Sequence, residues 1–245
     1  MGILIISSGT AVLYVLYKIA VIGSDQTYEL LANLGLLTFI GSNLLGIKQK
    51  NARRLLGYSS VGQIGLLVMI IGFKPVLGEQ FTFIAFSVLI SHLLAKAGLF
   101  WLAGIVKQKN IKNWGELRQR PFLLVLFGTF IFTLIGFPPF PSFFGKWELM
   151  MILAQKSNVI WLLAVLLGSF FEGVYLFKWL GNAIKGEVSE NKTFKVNIEK
   201  TLPVAVVGIL TYVTGFYSST FVEGGNMIDY IPLFFIAAIF IVDFL

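Results

Sequence analysis

The sequence predicts an all-α integral membrane protein, and three observations support this. Of its 245 residues, 57% are hydrophobic and only 13% are charged, and the mean hydropathy is +0.85. So few polar side chains cannot cover a water-soluble globule of this size. Apolar runs of membrane-spanning length recur along the chain, and basic residues cluster in the loops between them. We therefore expect a single helical bundle in the lipid bilayer, without a soluble domain.

Polar, glycine and proline residues divide the apolar sequence into about eight predicted crossings. They are expected near residues 2–22, 27–47, 54–73, 80–106, 121–137, 142–181, 201–221 and 228–245. The sixth is about forty residues long and carries the polar segment AQKSN at residues 154–158. It is therefore either two crossings joined by a tight turn or one helix that is broken in the middle.

The distribution of positive charge favours the broken helix. If the sixth segment crosses once, thirteen basic residues lie on one face of the membrane and Lys74 alone lies on the other. The thirteen are Lys48, Lys50, Arg53, Arg54, Lys107, Lys109, Lys112, Arg118, Arg120, Lys185, Lys192, Lys195 and Lys200. This asymmetry agrees with the positive-inside rule and predicts that both termini are cytoplasmic. Broken helices commonly flank ion sites in transporters, so we expect function near residues 154–158.

The composition also excludes several classes of function. The absence of cysteine excludes thiolate-bound zinc, iron–sulfur clusters and disulfides, and a single histidine excludes bis-histidine haem ligation within this chain. We therefore predict no cofactor and place any redox chemistry in a partner. The net charge of +7 is explained by the basic loops, so nucleic acid is not predicted as a partner.

Lys96 is the most informative single residue, because it lies deep inside the apolar run from Phe81 to Val106. A lysine at the centre of a bilayer-spanning helix costs about 2.5–3.5 kcal/mol, and such residues usually face an ion path. His92, the only histidine, lies one helical turn earlier on the same face. We predict that the two form a proton station. The alternatives are that Lys96 reaches to the membrane interface and that His92 makes a hydrogen bond between helices.

Three further candidates follow the segment GFPPFP at residues 136–141, which must end the fifth helix because it removes three backbone donors. Lys146 is predicted to lie on the ion path, with an interfacial anchor as the alternative. Glu148, two positions on, faces another direction and is expected to be a local counter-charge of the ion path, with a proton relay as the alternative. Lys156 lies in the expected break, where it either satisfies freed carbonyl groups or borders the exit.

The fourth candidate is Glu172, which lies in the apolar second part of the sixth segment. An acid inside the membrane needs a partner, and we expect Lys96 or Lys146, in an ion path or in a structural ion pair. The polar pair Ser59 and Gln63 lies at helical spacing. Such a pair either holds water between charged groups or makes hydrogen bonds between helices.

Three stretches, read together, resemble one family. They are KNARRLLGYSSVGQIG at residues 50–65, SHLLAKAGLFWLAG at residues 91–104 and GFPPFPSFFGK at residues 136–146. They are similar, in this order, to a basic turn followed by LLAYSS, to an H-x-x-x-K-A-x-x-F-x-x-A-G helix and to a G-x-P-P-x-x-G-F-x-x-K/E break. The family comprises the antiporter-like membrane subunits of respiratory complex I, of multisubunit sodium/proton antiporters and of archaeal membrane-bound hydrogenases and sulfur reductases.

The resemblance implies a fold of two inverted five-helix repeats, each supplying a half-channel. This chain resembles a shortened form: a remnant of the first repeat at 1–50, the second repeat at 51–200 and C-terminal helices at 201–245. The first repeat's lysine is replaced within residues 7–10, so the first half-channel is expected to be missing. Lys146 takes the place of the family's terminal lysine or glutamate, which is thought to hand protons to the external side.

We therefore expect a subunit that translocates H⁺ or Na⁺ in the cell membrane, within a complex-I-related redox complex of the archaeal hydrogenase or sulfur-reductase type. Its expected partners are other membrane subunits, a peripheral redox module reached through them, and lipid. Two alternatives stay open. One is a subunit of a stand-alone multisubunit Na⁺/H⁺ antiporter, and the other is a structural spacer in the membrane arm.

Overall fold

Every regular element is a helix in the residues that the structure, a computed structural model, describes. These are residues 2–186 and 198–219, with the side chains of 11–186 and 198–218. The helices are α1 (Gly2–Ile22), α2 (Asp25–Ile47), α3 (Ala52–Gly72), α4 (Lys74–Leu77), α5 (Phe81–Val106), α6 (Pro121–Ile135), α7 (Pro141–Gln155), α8 (Val159–Lys185) and α9 (Ile198–Ser219), with 3-10 turns at Gly78–Gln80 and Ile111–Gln119. The predicted fold class is confirmed.

Five helical segments of the described chain are long and apolar enough to cross a membrane. They are Asp25–Ile47, Ala52–Gly72, Lys74–Val106, Val159–Lys185 and Ile198–Ser218. The eighth predicted crossing, at residues 228–245, lies outside the described residues, as do Lys192 and Lys195. The protein crosses the membrane several times, and the number of about eight crossings stays a prediction.

Backbone contacts bring the basic loops together at one end of the bundle, here called the basic end. The amide of Ala52 donates to the carbonyl of Lys109 at 2.8 Å, and the amide of Ile111 donates to the carbonyl of Lys50 at 2.9 Å. These bonds join the loop that precedes α3 to the loop that follows α5. The last residue of the α8 region, Gly186, packs against the 3-10 turn in that second loop.

Aromatic contacts assemble the other end of the bundle. Phe73, which follows α3, meets Trp161 near the start of α8 edge to face, with ring centroids 4.8 Å apart. Tyr17 of α1 stacks on Phe81 at the start of α5, and the Lys74 ammonium lies 5.8 Å from the Tyr17 ring centroid. Helix α8 therefore runs through the whole bundle, from this end to the basic end.

Helices α6 and α7 lie end to end along α5. The Phe130 ring of α6 covers Gly98 in the second half of α5. At the centre of α5, the Ser91 hydroxyl accepts a 2.7 Å hydrogen bond from the amide of Ser142, in the first turn of α7. The rest of α7 packs on the first half of α5. The two 15-residue helices are thus the halves of one interrupted crossing.

The predicted position of the break was therefore wrong. A broken helix is present, but the interruption lies at residues 136–140, where two prolines follow Gly136, whose φ is +92°, and a third proline begins α7. Residues 154–158 instead form the turn between α7 and α8, at the end opposite to the basic end, and Lys156 is exposed there. A polar turn between two helices and a break within one helix both interrupt an apolar run in the sequence. Only the packing of α6 and α7 on α5 shows which interruption is the break.

Helices α2 and α3 approach each other so closely that backbone meets backbone. A Cβ added at Gly65 of α3 would lie 2.6 Å from the amide nitrogen of Phe39 in α2, and one added at Gly35 would meet the α3 backbone around Met69. Neither neighbour is a flexible side chain that can turn away. Glycine is thus required where α3 packs on α2, which positions one wall of the site described below.

We predict that Gly65→Ala destabilises the protein by about 1–3 kcal/mol, the usual cost of overpacking a tight contact. Gly57, also in α3, is the matched control, because a Cβ there meets nothing within 4 Å. Gly57→Ala should be neutral or stabilising, by up to about 1 kcal/mol, since alanine is the better helix former. Thermal unfolding in detergent checks both variants. Equal unfolding temperatures for the two would contradict the close approach of α2 and α3.

Candidate functional site

Four lysine, glutamate and histidine side chains are buried within the described part of the chain. Lys96 is 1% exposed, Lys146 5%, Glu172 0% and His92 7%. They come from α5, α7 and α8, and all four were singled out from the sequence. Because a charge in an apolar interior is costly unless it is paired, the contacts of these groups define the candidate site.

The Glu172 carboxylate has a partner on each oxygen. Ser59 of α3 donates its hydroxyl to Oε1 at 2.9 Å, and Gln63, one turn later, donates Nε2 to Oε2 at 2.6 Å. The Lys146 ammonium lies 3.8 Å from the same Oε2. The acid of α8 is thus held by α3 on one side and by the lysine of α7 on the other.

The Lys146 ammonium also reaches the free end of α6. Its Nζ lies 3.2 Å from the carbonyl oxygen of Ile135 and 3.4 Å from that of Leu134. Gln63 donates to the Leu134 carbonyl as well, at 3.4 Å. Carbonyl groups in the last turn of a helix have no partner within the helix. The break therefore supplies acceptors at the depth where Lys146 needs them.

The remaining acceptor at this end of α6 is satisfied by α7. Ser142 donates its hydroxyl to the carbonyl of Thr133 at 2.8 Å, while its amide is bonded to Ser91 of α5. The Thr133 hydroxyl in turn donates to the carbonyl of Thr129, whose own hydroxyl is 3.1 Å from that of Tyr212 in α9. These bonds fix the two ends of the broken helix relative to α5 and α9.

Lys96 enters the site from α5 and bonds to α3. Its Nζ donates to the carbonyl of Leu56 at 2.9 Å. Leu56 is one turn before Ser59 on α3, so α3 carries polar contacts from Lys96 to Glu172 and onward to the end of α6. The Glu172 carboxylate is attracted electrostatically by both lysines, with Lys146 the stronger partner. We call Lys96, Glu172 and Lys146 the charge cluster.

The other predicted site residues lie outside this cluster. His92 is buried next to Lys96, and within the described residues its Nδ1 has no hydrogen-bond partner. Glu148 is partly buried on another face of α7 than Lys146, and Lys156 is exposed at the turn after α7. Sequence reasoning therefore identified every charged member of the cluster and three further residues that lie outside it.

The sequence did not reveal the neutral ligands of Glu172. Ser59 and Gln63 were noted only as a polar pair, and of the two interpretations the structure shows hydrogen bonds between helices, directed at a carboxylate. Tyr175, one turn after Glu172, donates to the Asn43 side chain of α2 at 2.8 Å. The only sequence signal for these contacts was the occurrence of polar residues in apolar helices.

The arrangement can hold and transfer positive charge. Two lysines share a single buried carboxylate, so the charge cluster is balanced when one lysine is protonated and holds an extra proton when both are. Within residues 2–186 and 198–219, no group of three His, Cys, Asp or Glu side chains comes together to hold a metal ion. Oxygen atoms of the carboxylate and of the α6 carbonyls are the available ligands.

The fold is a multi-pass helical membrane bundle with a broken helix and buried lysines, and comparison with known proteins assigns this fold to a family. Residues 2–172 match the family described as NADH:quinone oxidoreductase/Mrp antiporter, TM. The chain belongs to this family.

Individual relatives are distant and longer. The chain is 28% identical to NADH-quinone oxidoreductase subunit L of Buchnera aphidicola, covering 82% of this chain and 33% of that protein. It is 25% identical to NADH-quinone oxidoreductase subunit N of Desulforudis audaxviator, covering 89% of this chain and 47% of that protein. The chain thus spans between a third and a half of the length of these relatives.

Solved structures share the fold. A chain of the Mrp complex from Dietzia sp. DQ12-45-1b superposes with a TM-score of 0.72 at 16% identity, over 83% of this chain and 47% of that one. A chain of the membrane-bound sulfane sulfur reductase, an archaeal respiratory membrane complex, gives 0.72 at 22% identity, over 85% and 44%. The resemblance inferred from the three sequence stretches is confirmed.

We predict that Glu172→Gln and Lys146→Met each destabilise the protein by about 3–5 kcal/mol, because each leaves the partner charge buried and uncompensated. The double variant should lose much less than the sum of the two, since it removes both charges. Thermal unfolding in detergent measures the difference. Additive losses would mean that the 3.8 Å pair does not couple the two residues.

Proposed function

We propose that the chain is an ion-translocating subunit, for H⁺ or Na⁺, of a complex-I-related respiratory complex in the cell membrane. The observation that carries this proposal is the charge cluster, in which one buried carboxylate lies 3.8 Å from Lys146 and attracts the buried Lys96, beside an interrupted helix. The chain's own part is to conduct or gate the ion. Electron transfer takes place in a peripheral redox module, which it reaches through other membrane subunits.

In this proposal Lys96 and Lys146 are the two stations of the path. Lys96 lies at the middle of α5 and contacts α3, while Lys146 lies where α6 and α7 are interrupted. Glu172 stands between them and lowers the cost of positive charge at either one. Changes of hydration or of charge in neighbouring subunits then shift the proton between the stations. His92, one turn from Lys96 on the same face of α5, forms a proton station with it.

A stand-alone multisubunit Na⁺/H⁺ antiporter is the second candidate function. The Mrp complex chain superposes as well as the sulfur reductase chain, with a TM-score of 0.72 in both cases. In such an assembly an existing ion gradient replaces electron transfer as the driving force. The charge cluster serves both functions in the same way, so the two differ in partners and not in the path.

We predict that Lys96→Met lowers substrate-driven ion uptake into intact vesicles by about a hundredfold. Without the Lys96 amine, a translocated charge must cross the bilayer centre without a binding group, which costs about 2.5–3.5 kcal/mol. Each 1.4 kcal/mol added to the barrier lowers the rate about tenfold. Lys178→Met is the matched control, because Lys178 is an exposed lysine of α8 and should leave uptake unchanged. Unchanged uptake in Lys96→Met, with normal assembly, would favour the structural spacer.

The partners are tested by purifying the chain from its native membrane in a mild detergent and identifying what remains bound by mass spectrometry. Redox subunits in stoichiometric amounts are expected under the leading proposal. Small membrane subunits without a redox subunit would instead support the stand-alone antiporter, and gradient-driven Na⁺/H⁺ exchange would then replace the substrate-driven assay.

A further inference from the structure

The surroundings of the Lys146 ammonium consist of oxygen acceptors from other elements. They are the carbonyl oxygens of Leu134 and Ile135, at 3.4 and 3.2 Å, and Oε2 of Glu172, at 3.8 Å. Ordinary charge-assisted hydrogen bonds of an ammonium are about 2.7–2.9 Å long. The ammonium therefore sits among these oxygens at distances longer than its usual bonds, held mainly by charge.

We propose that this group of oxygens is a binding site for a monovalent alkali cation, Na⁺, which the Lys146 ammonium and Na⁺ occupy in turn. The inference rests on the proposed ion-translocating function and names an ion and the place where it binds. Below, the oxygen site means the carbonyls of Leu134 and Ile135 together with the carboxylate of Glu172.

The ligand types favour Na⁺ over other cations. Carbonyl and carboxylate oxygens are hard ligands, and the carbonyls at interrupted helices are the groups that bind Na⁺ in transporters. A single carboxylate balances one positive charge, so a divalent ion would leave an excess charge in a buried place. The cation that already occupies the site, the ammonium, is likewise monovalent.

Two neighbouring residues can complete the coordination. The side-chain amide of Gln63 touches both the Leu134 carbonyl and Glu172. A Cβ added at Gly136 would lie 3.2 Å from Oγ of Ser142 and 3.6 Å from Nζ of Lys146, so hydroxyl and ammonium lie on the same side of Gly136. Rotation of the Gln63 amide and of the Ser142 hydroxyl would add two oxygens to the three already there.

The exchange conserves charge. When Na⁺ enters, the protonated amine of Lys146 gives up one proton to water, becomes neutral and leaves the oxygen site by rotation of its flexible side chain. No bond other than N–H is broken, and the site holds one positive charge before and after. One proton is therefore released for each Na⁺ that binds, and the two ions are coupled in opposite directions at a single residue.

The charged group that acts on Lys146 from a neighbouring helix is Glu172 of α8. Glu172 in turn interacts with Lys96 of α5 and with Tyr175, one turn later on α8. His92 of α5 interacts with Lys96. Helix α3 faces the site with Gln63, which does not titrate, and α6 has no titratable side chain. Tyr212 of α9 is bonded to Thr129 of α6.

The test is equilibrium binding of ²²Na⁺ to the complex purified through an affinity tag on this chain, over a series of pH values. Because Na⁺ and one proton compete, the apparent affinity should fall about tenfold for each pH unit below the value at which Lys146 loses its proton. Lys146→Ala should still bind Na⁺, since the oxygen site remains and its tethered cation is gone. Glu172→Gln should lose binding, and Lys178→Met should match the wild type.

Loss of Na⁺ binding in an assembled Lys146→Ala complex would overturn the inference, as would pH-independent binding in the wild type. Lys96→Met separates this inference from the proposed function, because it leaves the oxygen site intact and should keep pH-dependent Na⁺ binding while ion uptake is lost. If uptake depends on Lys96 but no variant binds Na⁺, the function stands and the Na⁺ site is refuted. If Na⁺ binding behaves as expected but Lys96→Met transports normally, the path through Lys96 is refuted.

Discussion

The rest of the site depends on the burial of one carboxylate. Glu172 is fully enclosed, and an ionised acid in that position is tolerated only because α3 donates two hydrogen bonds and α7 brings an ammonium. These contacts require α3, α7 and α8 to meet at one depth. The close glycine packing of α3 on α2 and the placement of α7 along α5 hold α3 and α7 in place for that meeting.

The interrupted helix supplies the second half of the site. Ending α6 halfway along α5 frees carbonyl groups inside the bundle, and in a membrane such groups must find partners within the protein. Lys146, Gln63 and Ser142 provide them. The carbonyl oxygens freed by the break create a negative potential, and this potential allows Lys146 to stay buried beside them.

How far the site followed from the sequence can be judged from particular residues. Lys96, Lys146 and Glu172 were recognisable because a charged side chain in an apolar membrane segment is costly and rare. Gln63 and Ser59 were not recognisable as ligands of Glu172. A polar uncharged residue costs little in a membrane helix, and its sequence position does not show which group it bonds to. Lys156 was misplaced for the same reason that the break was: AQKSN at residues 154–158 and the prolines after Gly136 both interrupt an apolar run, and local sequence does not show at which depth each one lies.

The sequence by itself determined the fold class, the bounds of α1, α2, α3, α5, α6 and α9 to within three residues and the grouping of basic loops at one end, because hydropathy and proline are local properties of the chain. It also determined which charged side chains would be buried in the bundle despite the cost of burying a charge. Only the tertiary structure decided that α6 and α7 form one interrupted crossing and that Glu172 pairs with Lys146 more closely than with Lys96. The physical reason is that pairing depends on the distance between residues far apart in sequence, which packing alone sets.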